Sequence, residues 1–369
     1  MNKITALFVT LLAGSALAGP FSQGNLVVVR IGESGSTTTL NNASFATFLD
    51  EYTPAGVLVQ SVGLPTALSG ANNRFTLGGS ATSEGQLTRS ADGMYLALGG
   101  YDAAPGVAAI STSTSANVKR IFARVDSSGS VDTSTSTTAF SGASIRGVVT
   151  STGNDFWATG GNSGVQYGAS LGGSSTIQIN TGGTPITNQR NINIFGGQLY
   201  ASNGTANRGV FSIGSGTPTT NGQVGTVLTG SGAAPSSGSP YDYEIIGTNL
   251  MYIADDSAVA GTGGLQRWDL IAGTWTRTQN WVPANNGRVR QITTRLNAAG
   301  QTVLYFTVQD STGSSIQSLT DIGANSTFTT IAASGTNTIF RGIEFAPIPT
   351  PGSLALLGMG GLLAARRRR

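Results

Sequence analysis

The chain of 369 residues contains no cysteine and no histidine. The first absence excludes a disulfide framework, a thiolate metal site and a thiol nucleophile. The second removes the usual general base, the commonest metal ligand and any Ser-His-Asp triad. Charge is scarce as well: Asp, Glu, Lys and Arg make up only 10% of the chain, which is not the charge-rich composition of a disordered protein. The pI near 9.3 does not describe the body. With Lys3 and the arginines at 366 to 369 set aside, 15 basic residues face all 17 acidic ones. No basic surface for nucleic acid is expected, and the positive charge belongs to the two ends.

What is abundant is glycine, 53 residues of it, spread among Ser, Thr and Asn. The chain opens on MNKITALFVTLLAGSALAGP, with one Lys, an apolar run from Ile4 to Ala13, then small residues. Ala16 and Ala18 flank Leu17 in an A-x-A arrangement that places signal-peptide cleavage after Ala18. The run is too short to span a bilayer, and Gly19-Pro20 would end a helix. Residues 1–18 therefore read as a secretory signal peptide, and an exported fold without Cys must be held by its core alone.

From 19 to 346 one pattern repeats: a glycine turn, an aromatic residue, small residues, then a polar turn. It occurs around Tyr95, Trp157, Tyr200, Tyr252 and Tyr305, spaced 62, 43, 52 and 53 residues apart. A β-rich segment precedes each turn (LTRSA, IRGVVTS, NINIF, YEIIG, VRQITTR) and another follows it. Alternating β-branched and aromatic residues between Gly, Asn and Asp turns predict short antiparallel strands. Four strands per repeat predict an all-β fold, a β-propeller whose blades bury each other's faces. The period is long for a β-solenoid and too regular for two unrelated β-sandwiches. IFRGIEFAP near the C-terminus looks like a first strand lacking followers. NLVVVRIG and VLVQSVGLP near the N-terminus look like followers lacking a first strand. Joined, they close the ring, giving six blades, or seven if residues 71–88 conceal another.

The body offers no catalytic constellation. Loops after the five aromatics hold Asp102, Asn162, Asn203, Asp255, Asp256 and Asp310, all expected on one face as a polar ring for a cation or for sugar hydroxyls. The same residues also serve simply as turn formers. Asp255 and Asp256 are the candidate Ca²⁺ ligands, without the Asp-x-Asp-x-Asp-Gly series of an EF-hand. No cofactor is otherwise expected. Trp268, Trp275 and Trp281, near Arg267 and Arg277, suggest either a sugar-stacking surface or core packing. The expected function is a non-enzymatic binding or structural module for exopolysaccharide or another surface partner. The alternative is a carboxylate-dependent glycan hydrolase or lyase, Ca²⁺-dependent or not.

The last segment, 347–369, has three parts: a Pro-rich break, twelve apolar residues from Leu354 to Ala365, and Arg366, Arg367, Arg368 and Arg369. As a helix the apolar run would reach about 18 Å, short of a lasting span, and the arginines would hold it on the cytoplasmic side. This order resembles the PEP-CTERM sorting domain of exported bacterial proteins. Pro349 and Pro351 match the two prolines of its motif; Thr350 stands where the family carries Glu. The resemblance implies a short C-terminal helix, transient membrane insertion, processing by an exosortase, and delivery to the surface or matrix of a Gram-negative, exopolysaccharide-making bacterium.

Overall fold

The structure is a computed structural model that describes residues 19–349 except 169, 184–185, 205–207, 229–237 and 258–262. Signal-peptide positions Ala16 and Ala18, the apolar helix expected from Leu354, and Thr350, Pro351 and Arg366 to Arg369 lie outside the described residues. Among the described residues the only helical turns are two short 3₁₀ turns, Ile110–Thr112 and Ala284–Asn286, and no helix is long and apolar enough to cross a membrane.

The rest is strand and turn. The first eight strands are β1 (Leu26–Ile31), β2 (Ser44–Tyr52), β3 (Leu58–Gly63), β4 (Thr76–Gly78), β5 (Leu87–Arg89), β6 (Tyr95–Tyr101), β7 (Arg120–Asp126) and β8 (Val131–Thr137). Then come β9 (Ile145–Val149), β10 (Phe156–Gly160), β11 (Gln166–Gly168) and β12 (Ile177–Gln178). The next sheet is β13 (Ile192–Phe195), β14 (Gln198–Asn203), β15 (Gly209–Ile213) and β16 (Gly225–Val227). Two more follow: β17 (Pro240–Ile246), β18 (Leu250–Asp255), β19 (Gly264–Ile271) and β20 (Thr274–Trp281), then β21 (Arg288–Leu296), β22 (Thr302–Asp310), β23 (Gly313–Thr320) and β24 (Phe328–Ala333). The last strand is β25 (Ile339–Phe345).

β9–β12, β13–β16, β17–β20 and β21–β24 are four separate antiparallel sheets of four strands, arranged as in a β-propeller. The expected count of six or seven separate blades is corrected to four. The other nine strands are one sheet, because β4 pairs with β2 on one side and with β6 on the other. The stretch 71–88 thus holds the bridging strand β4 and the start of β5 rather than part of a seventh blade. The expected closure is present: β25 pairs antiparallel with β1, Leu26 opposite Phe345 and Ile31 opposite Ile339, so β1 is paired on both sides and the first and last strands share one sheet.

Sheets stacked on both faces explain the near-continuous apolar runs. In LVVVRI, Leu26 and Val28 pack with Tyr305, Ile316 and Ile343 of neighbouring strands. Val27 and Val29, pointing the other way, pack with Leu77, Leu87 and Leu98. The repeated aromatics sit on the second strand of each run. Trp157, Tyr252 and Tyr305 are buried, while Tyr95 and Tyr200 are half-buried. Each fully buried large side chain contributes roughly 1.5–3 kcal/mol, which is how a chain without disulfides holds together. Trp268, Trp275 and Trp281 are buried too, so they pack between sheets and offer no open stacking surface.

The innermost strands, β25, β5, β9, β13, β17 and β21, surround a common axis. β25 lies against β5 and β21, β9 against β5 and β13, and β17 against β21 and β14. Their inner edges carry backbone groups with no next strand to pair with. Neighbouring side chains satisfy them. Gln291 Oε1 accepts Leu87 N–H at 2.9 Å and Ile343 N–H at 3.1 Å. Asp242 accepts Ile292 N–H at 3.0 Å, and Thr88 Oγ1 donates to the Val148 carbonyl at 2.6 Å.

Candidate functional site

Pairing register puts the start of each inner strand beside the end of the second strand: Ile145 opposite Gly160, Pro240 opposite Asp255, and Arg288 opposite Gln309. These ends form one face around the axis, called the mouth below. All six predicted loop residues lie on it, but the structure does not gather them. Asp102 pairs with Arg74 at 2.9 Å. Asn162 is spent on a turn, donating to the Ser141 carbonyl at 3.0 Å. Asn203 is buried within β14.

Asp255 is fully buried and accepts from Ser239 N–H at 2.9 and 3.0 Å, Ser257 N–H at 2.9 Å and Gln266 Nε2 at 3.2 Å. Its oxygens are occupied by protein donors, and burial raises its carboxyl to about 6. Asp256 pairs with Arg290 at 2.8 Å. The expected Ca²⁺ pair is therefore a turn anchor beside an ion pair. Among the described residues no three acidic side chains are grouped to hold a metal.

What the mouth does assemble is a cluster of arginines. Arg146, Arg190, Arg290 and Arg341 stand at or just before the starts of β9, β13, β21 and β25, and Tyr241 takes the matching place in β17. The guanidinium carbons of Arg190 and Arg290 lie 4.9 and 5.0 Å from the Tyr241 ring centroid. Arg290 Nη1 also donates to the Tyr241 hydroxyl at 2.9 Å. Tyr241 is fully buried, and Arg290 and Arg341 are 3% and 2% exposed. Burial, and then Arg190, bring Arg146 down to about 10; burial, and then Arg290, do the same to Arg341. Both values leave the guanidinium charged at neutral pH, so two like-charged pairs persist side by side.

One buried acid answers them. Glu84 accepts the Tyr101 hydroxyl at 2.6 Å and Gly78 N–H at 2.9 Å, and burial pushes it up to about 7 despite these bonds. Further along the axis, Asp242 rises to about 7 through burial, while its oxygens take Ile292 N–H and Asn191 Nδ2. Glu344 accepts Thr293 Oγ1 at 2.8 Å and Phe345 N–H at 2.7 Å. These carboxylates close strand edges.

Beside Arg290 the mouth opens into a cavity of about 450 Å³ whose lining includes Thr82, Asn285, Arg288, Arg290, Gln309 and Asp310. Asp310, a predicted ligand-face residue, is thus placed in a pocket. Its Oδ1 is engaged by Thr312 N–H at 2.7 Å, while Oδ2 accepts Asn285 Nδ2 at 3.3 Å. Asn285 and Asn286 adopt φ of 57° and 52°, a conformation Asn tolerates better than most residues. A second cavity of about 420 Å³ lies nearer the rim, between the β1–β2 loop and Pro105-Gly106. Sequence reading missed the arginine cluster. Its signal was the first strand itself, where Arg146, Arg190, Tyr241, Arg290 and Arg341 recur 44, 51, 49 and 51 residues apart.

Fold and site define an all-β, β-propeller-like protein with a cationic mouth. No protein-family model and no curated protein matches the chain. Among solved structures it is similar to the extracellular domain of a hybrid two-component system from B. thetaiotaomicron, at 12% identity and a TM-score of 0.42. That match covers 87% of this chain but only 36% of the other, so the chain spans about a third of that protein. It is also similar to a gluconolactonase from Xanthomonas campestris, at 10% identity and a TM-score of 0.42, over 91% and 90% of the two chains. A computationally designed protein, Ika8, matches at 10% identity and a TM-score of 0.36, over 81% and 73%.

Proposed function

We propose that this is an exported, non-enzymatic β-propeller displayed at the cell surface or in the extracellular matrix, binding exopolysaccharide or another surface partner through its mouth. The reading includes export by residues 1–18. It also includes transient membrane insertion and exosortase processing through a PEP-CTERM-like segment over 347–369.

One observation carries it: the ends of the described chain leave from the face opposite the mouth. Phe21 N–H donates to the Ser127 carbonyl in the β7–β8 turn, and Ile348 N–H to the Gly93 carbonyl in the β5–β6 turn, both at 2.9 Å. These turns lie at the far ends of the strands. Pro349 follows directly, so a tail held in a membrane leaves the mouth facing outward. The engaged oxygens of Asp242, Asp255 and Glu344 support binding over acid–base chemistry, which needs a carboxyl free to exchange a proton with substrate. Pull-down of the pure protein on exopolysaccharide from the producing bacterium tests the proposal. Retention supports it; a protein that passes through unretained overturns it.

A further inference from the structure

Around Tyr241, at the centre of the mouth, positive charge exceeds what the adjacent acids neutralise. Around Tyr241, four arginines face Glu84 and Asp256. Asp256 takes only Nη1 of Arg290, and Arg290 Nε, although buried, has no partner among the described residues. Arg190 Nε is likewise buried without one. Gln189, next to Arg190 and only 1% exposed, leaves both ends of its amide unpartnered. A buried donor left unsatisfied costs about 1–3 kcal/mol, more when charged, and holding like charges together adds to that. Of these groups Arg290 lines the cavity of about 450 Å³, which is where the cluster meets open space.

Size and lining narrow the ligand. The volume falls at the lower end of small-molecule pockets, roughly 300–1,000 Å³. The lining lacks aromatic and aliphatic side chains and offers amide, hydroxyl and guanidinium groups, together with the one carboxylate of Asp310, whose oxygens are engaged by Thr312 and Asn285. Arg288 is exposed at its edge, and Arg341 stands behind it, donating to Gln309 Oε1 at 3.4 Å. Planar guanidinium forks suit a carboxylate, taking both oxygens at once. Asn285, Gln309 and Thr82 suit hydroxyls.

We propose that this pocket takes the carboxylate of an acidic sugar, with Arg288 and Arg290 on the charge and the amides on the ring hydroxyls. This rests on the reading of the mouth as a glycan-binding face and names the class of sugar. The sugar's source is either a uronate unit in a polysaccharide or a free sugar acid.

Isothermal titration of the purified protein with glucuronate, glucose and polygalacturonate tests it. Glucuronate is expected to bind and glucose not to, with binding weakening as salt rises. Arg288→Gln, at an exposed position outside the core, is expected to lose affinity roughly tenfold, as for one charge-assisted contact. Arg290→Gln is expected to lose more, and Arg288→Gln serves as the folded control if that variant is unstable. Tighter binding of the polymer assigns the site to a polysaccharide; equal or weaker binding assigns it to a free sugar acid. Glucose binding as well as glucuronate, no glucuronate binding, or an unaffected Arg288→Gln each overturns the proposal. Glucuronate binding without retention on the native exopolysaccharide leaves this site standing and removes the wider reading.

Discussion

Gln291 and Leu87, 204 residues apart, exchange two hydrogen bonds across the axis: Leu87 N–H donates to Gln291 Oε1 at 2.9 Å, and Gln291 Nε2 donates to the Leu87 carbonyl. The same Oε1 takes Ile343 N–H, so one buried amide ties β21 to β5 and β25. Gly342 lets these strands come close. A Cβ there would stand 2.6 Å from Gln291 Oε1 and 2.5 Å from the Gly85 carbonyl oxygen.

Gln291→Ala leaves three backbone groups unpaired in a buried place. A loss of about 2–4 kcal/mol is expected, at about 1–3 kcal/mol per orphaned group with partial relaxation. Urea unfolding measures it, as a lower midpoint at unchanged slope. A midpoint equal to that of the parent protein would show that the amide is dispensable.

Stability is expected to fall as pH rises from about 4 to about 7. Glu84 and Asp242 titrate near 7 when folded, against 4.5 and 3.8 in free side chains, and Glu244 and Glu344 are also raised. Over that window the folded state keeps protons that the unfolded chain has released, so the slope of stability with pH is negative, by up to about 1.4 kcal/mol per pH unit for each group. Above about 7 Glu84 and Asp242 are ionised in both states and their contribution to the slope vanishes. Asp310 and Asp269 are held low and act oppositely, only in the acid range below 3.8. Unfolding midpoints across this pH series, repeated with Asp242→Asn, check the sign; the variant should show a shallower decline.

The repeat was legible because β-branched and aromatic residues recur at a regular spacing between turn residues, as in IRGVV and VRQITTR. Ring closure was legible because IFRGIEFAP had no following strand. The fusion through β4 was not, since three residues, Thr76–Gly78, carry no periodicity and make only one residue pair with β6. Nor was β2 read as a strand: SFATFLDEY mixes charge into its pattern because Asp50 and Glu51 are buried against partners, Asp50 with Arg30 at 2.6 Å and Glu51 with Asn25 at 2.7 Å. Strand order alone put the polar loop residues at one end of the strands, where the structure has them. The arginine cluster was not read, because loop residues such as Asp255 were weighed while Arg146, Arg290 and Arg341 were taken only as strand residues.

Asp255→Ala is expected to lower the melting temperature by removing the acceptor shared by Ser239, Ser257 and Gln266, while added Ca²⁺ leaves the parent protein's melting temperature unchanged. A scan with and without Ca²⁺ reads both. A Ca²⁺-dependent rise would restore a metal role for Asp255 and Asp256.

The C-terminal reading predicts that protein recovered from the producing bacterium's surface lacks the segment after the Pro349-Thr350-Pro351 motif. Intact-mass measurement decides it. A chain still ending at Arg369 would contradict processing and point to Thr350 as the departure that blocks it. Thr350→Glu should then restore cleavage.

The central claim is that the mouth is the binding face. Hydrogen–deuterium exchange of the protein with and without the exopolysaccharide it retains tests this most directly. Added protection is expected at Asn285 to Arg290 and at Gln309 to Ser311, with the turns around Gly93 and Ser127 on the opposite face unchanged. Protection confined to that opposite face, or to the blade rims, would contradict the account.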